Sequence, residues 1–179
     1  MSDPAANAFA AFLAELGVDA STDPEIADTP RRYAALLRDW FIQPPRPDVT
    51  PIPLPAGGGD PVVIKDLPFH SLCVHHVVPF FGHVHVAYIP GAHIVGFGAV
   101  GRLLDWCSRK PQLQERLVVE LADALEEALK PRALLVTCKA RQMCMEMTGA
   151  TPHGNTIAMA ARGEWADRGW EISRDIMAL

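Results

Sequence analysis

The residues Ser71 to Phe80, SLCVHHVVPF, place one cysteine and two histidines within four positions ahead of an apolar run. Cys73 and His76 are separated by two residues, so a turn or a strand end can present both to one metal ion. A thiolate with an imidazole suits zinc better than magnesium or calcium. Two ligands are too few, and a third protein ligand with an open position for water would make the site catalytic. Cys144 is the first candidate, with Cys138 and His153 behind it. The plainer reading keeps Cys73 as a small buried hydrophobe and both histidines as hydrogen-bonding residues. Local spacing leaves both readings open, because periodicity alone cannot bring Cys144 near.

If the backbone at 75–76 is extended, His75 and His76 point to opposite faces and do not share a metal. His75 is then free to line the substrate side and transfer protons, its reference pKa lying near 6.5. His83 and His85 share the exposed-looking side of a strand, which suits a surface or interface. Glu115 near a helix start favours the helix dipole, and as a buried carboxylate it could grip the N1–H and 2-amino edge of a guanine. Arg102 and Arg116 are potential anion ligands or plain helix-surface residues. Met143, Met145 and Met147 read as packing residues.

The elements that must position these groups form one domain with a small N-terminal appendage, in 179 residues of which 49% are hydrophobic. A net charge of -5 disfavours indiscriminate nucleic-acid binding. The sequence shows neither a signal-peptide pattern nor a membrane-length apolar run, so a cytoplasmic protein with no membrane partner is expected. In that setting the four cysteines suggest metal before disulfides.

Helices are expected from Asp3 to Leu16 and from Asp28-Thr29-Pro30 to about Trp40. The proline-rich stretch from Ile42 to Asp60 reads as a linker. Strands are expected over Pro61–Leu67, within Val77–Ile89 and over Ala92–Phe97, the last returning through Pro90-Gly91. Helices follow over Ala99–Arg109 and Pro111–Leu129, the second with Leu113, Leu117, Leu121 and Leu125 on one side. Strands over Arg132–Ala140 and Thr156–Ala161 and a closing helix over Glu164–Leu179 complete an α+β layer. The division reads as an N-terminal helical segment, 1–45, and a main domain, 46–179.

Taken in order, several segments resemble the GTP cyclohydrolase I family. They are Asp28-Thr29-Pro30-Arg31-Arg32, Ser71 to Pro90, Gln112-Leu113-Gln114-Glu115-Arg116-Leu117, Leu129-Lys130-Pro131 and Ala140-Arg141-Gln142-Met143-Cys144. The resemblance covers roughly residues 25 to 175. It implies the tunnelling fold, an antiparallel sheet covered by two long helices. It also implies a homo-oligomer, a decamer built of pentamers with active sites between subunits. Zinc would be held by Cys73, His76 and Cys144, with His75 transferring protons. Glu115 and Gln114 would hold a purine- or pterin-like small molecule and Arg102 its triphosphate.

The chain departs from the family pattern at Gln142, where a histidine is usual. Gly98-Ala99 replaces Ser-Lys, Thr148 an arginine and Val74 a glutamate. Gln142 can orient a water or a carbonyl in the catalytic site but cannot carry a proton. Each lost phosphate contact costs very roughly 1.5–3 kcal/mol. The expectation is therefore a zinc-dependent ring- or formamide-opening hydrolase for a substrate less phosphorylated than GTP. The alternatives are GTP cyclohydrolase I itself and a non-catalytic zinc- or pterin-binding regulator.

Overall fold

The computed structural model describes residues 3–55, 59–149 and 154–179, and the chain divides into two compact units, Met1–Gln43 and Pro44–Leu179. In the first, α1 (Pro4–Glu15) begins at Asp3, whose carboxylate accepts the amides of Ala5 and Ala6. It packs on α2 (Thr29–Phe41) through Phe9 and Tyr33, whose rings stack 4.3 Å apart. Arg38 grips Asp3 with both guanidinium ends and holds its carboxyl down at about 2.

The second unit contains β1 (Ile52–Pro53), β2 (Val62–Cys73), β3 (Pro79–Ile89), β4 (His93–Ile94) and α3 (Phe97–Ser108). Then come β5 (Pro111–Gln112), α4 (Gln114–Leu129), β6 (Ala133–Gln142), α5 (Met143–Met147), β7 (Asn155–Gly163) and α6 (Gly169–Ala178). Five strands form a sheet in the order β5-β2-β3-β6-β7, antiparallel except where β5 runs beside β2. The result is an α+β fold whose largely antiparallel sheet is flanked by helices.

Alternation decides which side chains meet the helices. Val84, Val86 and Tyr88 of β3 and Leu134, Val136 and Cys138 of β6 face α3 and α4, where Leu103, Leu117, Leu121 and Leu125 are fully buried. Gly82 sits opposite Ala140 because a Cβ there would lie 2.0 Å from the Lys139 carbonyl oxygen. Strand β2 changes parity midway. Val62 and Ile64 face the core, the pairing with β3 shifts between Ile64 and Leu67, and beyond it Leu67, Phe69 and Cys73 face the core. Asp66, with φ 56°, is the extra residue of this bulge, and its amide donates to His85 Nδ1 at 3.1 Å.

Three expectations are corrected here. Residues 92–97 do not return as a hairpin partner of β3: only His93–Ile94 is extended, pairing with β1, and Phe97 already opens α3. The hairpin is β2–β3, because β2 runs on to Cys73. His85 is buried at 6% exposure while His83 stays exposed, because the bulge folds over only the first of them. Among the described residues no helix is long and apolar enough to cross a membrane.

Candidate metal centre

Cys73 ends β2, and the five residues before β3 double back on it. Its amide donates to the Val78 carbonyl at 2.8 Å, and its own carbonyl accepts Val77 N–H at 2.8 Å. Val74 N–H donates at 3.1 Å to the carbonyl of Gln112 in β5. The loop closes through Val77 at φ 55°, a costly conformation for a β-branched residue. The backbone at 75–76 is thus a turn rather than extended, and the two imidazoles are not divided between opposite faces. His75 Nδ1 and His76 Nδ1 each lie 3.9 Å from Cys73 Sγ.

Cys144 arrives from the other end of the sheet. β6 delivers Gln142 beside Phe80 at the start of β3, and α5 turns the chain so that Cys144 comes back over it. One donor atom each from Cys73, His76 and Cys144 lies within 4.8 Å of the others, with Cys73 buried, Cys144 half-buried and His76 exposed. Burial, and then the neighbouring Cys73 thiol, push Cys144 above its ordinary value, which a cation between the sulfurs would relieve. This donor set fits one metal ion. Of the other cysteines, Cys107 and Cys138 are core thiols pushed up to about 12 by burial. His153 lies outside the described residues.

Gln142 and Gln114 join the cluster from beneath. Cys144 Sγ donates to Gln142 Oε1 at 3.9 Å, and Gln142 Nε2 donates to Gln114 Oε1 at 2.8 Å. Gln114 is buried at the first turn of α4, whereas its neighbour Glu115 is exposed. Arg102 is not drawn to the cluster. It lies exposed on α3, lining a separate hollow with Pro44, Trp106 and Arg109. Two contributors had no signal of their own in the sequence. Thr156 bonds Gln114 through a pairing that only the sheet register creates, and Gln112 sits inside a quoted motif yet acts through its backbone carbonyl.

The family model of GTP cyclohydrolase I matches residues 5–176. The chain belongs to the GTP cyclohydrolase I family. GTP cyclohydrolase 1 of Streptococcus agalactiae serotype V is 37% identical over 173 residues, 94% of this chain and 91% of that protein. The Streptococcus mutans protein of the same name is 41% identical over 157 residues, 85% of this chain and 81% of its own length. Among solved structures, an archaeosine synthase QueF-Like in the apo form aligns with TM-score 0.49 and 21% identity, over 59% of this chain and 95% of that one.

These relatives overturn the expectation of a substrate less phosphorylated than GTP. Proteins of this family aligned with nearly the whole chain are GTP cyclohydrolase 1 proteins. Lost contacts subtract one by one only where the anchors act independently. Two of the departures are moreover absorbed locally: Gln142 is bonded to Gln114, and the Thr148 hydroxyl donates to the Cys144 carbonyl at 2.8 Å. None of the departures falls on Cys73, His76 or Cys144.

Proposed function

We propose that this chain is a zinc-dependent GTP cyclohydrolase I, converting GTP and water into 7,8-dihydroneopterin triphosphate and formate. The observation that carries the reading is the meeting of Cys73, His76 and Cys144, from segments some seventy residues apart in sequence, with donor atoms within 4.8 Å. Two sulfurs and one imidazole select zinc over oxygen-seeking cations, and three protein donors match a catalytic rather than a closed structural site. When bound, zinc supplies Lewis acidity that brings the pKa of a water towards neutrality.

The chain's own groups then divide the work. His75, beside Cys73 in the same turn, delivers a proton to the ring nitrogen released as the five-membered ring of guanine opens at C8. Hydrolysis of the resulting formamide frees formate, and rearrangement of the sugar closes the new ring. Glu115, exposed at the head of α4, accepts the N1–H and 2-amino group of the guanine edge. Arg102, exposed on α3 away from this subunit's own cluster, meets the triphosphate across a subunit boundary.

The sheet supports assembly into the tunnelling fold's barrel. Among the described residues β7 borders only β6, and the outer side of the twelve-residue β2 is paired by β5 only at Leu72 and Cys73. Such long open edges invite pairing with another copy. We place the catalytic domain at 46–179, behind an N-terminal helical segment 1–45, in a pentamer-based decamer with sites at subunit boundaries.

The test is formate release and pterin fluorescence from zinc-loaded protein given GTP, guanosine or a formamidopyrimidine. One formate per GTP is expected, with guanosine turned over at least about 100-fold less efficiently because it forgoes charge-assisted phosphate contacts. Zinc-loaded protein that leaves GTP intact would overturn the proposal.

A further inference from the structure

Gln114 commits every atom of its side-chain amide. Nε2 donates to the Cys138 carbonyl at 2.9 Å and to the Thr156 carbonyl at 3.1 Å. With both N–H groups directed at backbone oxygens, the two ends of the amide are assigned by the network. Oε1 must face the other way, where it accepts from Gln142 Nε2 at 2.8 Å and from the Thr156 hydroxyl. At 4% exposure Gln114 has no polar atom left for a ligand.

The same logic passes one residue further. Gln142 Nε2 is committed to Gln114, with Thr156 Oγ1 at 3.5 Å, so Gln142 Oε1 is turned to Cys144 Sγ at 3.9 Å. A cysteine that ligates a metal does so as a thiolate and has no proton to give. Gln142 Oε1 is then an acceptor facing the ligand cluster with no described donor of its own.

Building on the proposed reaction, we infer that Gln142 is a fixed hydrogen-bond acceptor in the metal centre and that Gln114 is the positioning residue that aims it, not a substrate contact. The carbonyl takes a hydrogen bond from the attacking water or from an N–H of the opening ring. It holds that group in place without removing its proton, since a neutral amide has no basic site near neutrality. The usual histidine of the family could both orient and carry a proton. Here orientation falls to Gln142 and proton delivery to His75.

The experiment compares wild type, Gln114→Met, Gln142→Met and the double variant. Formate release from GTP by the zinc-loaded proteins gives kcat and KM. The sulfur-to-cobalt charge-transfer absorption of the cobalt-loaded proteins, recorded without substrate, reports on the ligands directly. Each single substitution is expected to lower kcat about 10- to 100-fold, with KM for GTP changed less than about threefold. The double variant is expected within about threefold of the weaker single, because the two side chains act as one unit. The cobalt band should move in the same direction in all three. A raised KM with unchanged kcat in Gln114→Met would make Gln114 a substrate contact and end the inference. So would multiplying effects in the double variant, or a cobalt band that ignores both substitutions. Should Gln114→Met fail to fold, Thr156→Val removes only the hydroxyl that braces Gln114 Oε1 and leaves both backbone bonds of Gln114 in place. It should give a smaller fall in kcat and a band shift of the same sign, and no change in either would again overturn the inference. Wild type that releases no formate from GTP would sink the proposed reaction, while the cobalt comparison still decides the orientation.

Discussion

The two faces of the sheet solve the same problem, what to do with polar side chains, in opposite ways. On the face under α3 and α4, Ser71, Gln112 and Gln114 are buried and each is tied to backbone: Ser71 to the Ser108 carbonyl, Gln112 to the Cys107 carbonyl, Gln114 to two more. The other face is divided. Leu135, Ala87, Trp165 and Ile176 make a small apolar cluster under α6, and beside it the exposed Asp66, His83, Lys139 and Arg141 line an open hollow of about 430 Å³. A backbone partner fixes a side chain to the fold, whereas an exposed charge keeps its alternatives in water. The metal cluster stands on the first kind of ground, and that is why its geometry can be specified by residues that touch neither metal nor substrate.

The sharpest way to break the contrast is to remove a donor. Cys144→Ala should lower metal affinity by well over about 100-fold, more than the effect of altering an outer-shell partner, as read by metal content after gel filtration. Retained stoichiometric zinc would show that Cys144 is not a ligand. Next comes packing. Leu121→Ala, at 0% exposure under the sheet, should cost about 2–5 kcal/mol in denaturant unfolding. Ile157→Ala on the opposite face, at 39% exposure, should cost under about 1.5 kcal/mol. Equal losses would erase the distinction between the faces.

A pH series sharpens it further. Burial holds His85 below its ordinary value against the pull of Asp66, with Lys65, His83 and Lys139 adding repulsion. Its Nδ1 accepts the Asp66 amide, so protonation there breaks the bulge contact. The unfolded chain therefore takes up the proton first, and this contribution to stability is intact above about pH 6.5. It is lost as pH falls below that value towards the lower folded pKa, at no more than about 1.4 kcal/mol per pH unit. Subtracting the profile of His85→Gln from wild type should isolate that slope, and superimposable profiles would contradict it. Smallest of all, Arg132→Ala removes an exposed pair with Glu164, in which both side chains are about half accessible. It should change unfolding free energy by less than about 1 kcal/mol.

Much of the site could be read from residue types and order. The Cys73–His76 spacing pointed to a metal, and the ordered segments of the family resemblance named Cys144 as the third donor. Their meeting is tertiary, made by β6 running the length of β3 and α5 turning back. The fold class and the central helices follow from periodicity, whereas the extension of β2 from Leu67 to Cys73 is visible only in its pairing with β3. The burial of His85 rests on the bulge in that same pairing. The resemblance implies that Gln114 holds substrate, but a motif carries residue types and not their partners. Only the register of β6 against β7 reveals that both its amide hydrogens are already taken.

The single inserted residue at Asp66 reaches further than its own turn. Sidedness along a strand is a matter of counting, so seven positions downstream the thiol of Cys73 comes out on the helix side only because the count was changed by one. Running the same residues straight through that point, with none bulged out, would leave every amino acid of the site in the chain and turn the first sulfur towards the wrong half of the molecule. For this stretch of chain, where a residue is bulged out of the ladder is as strict a requirement as chemistry.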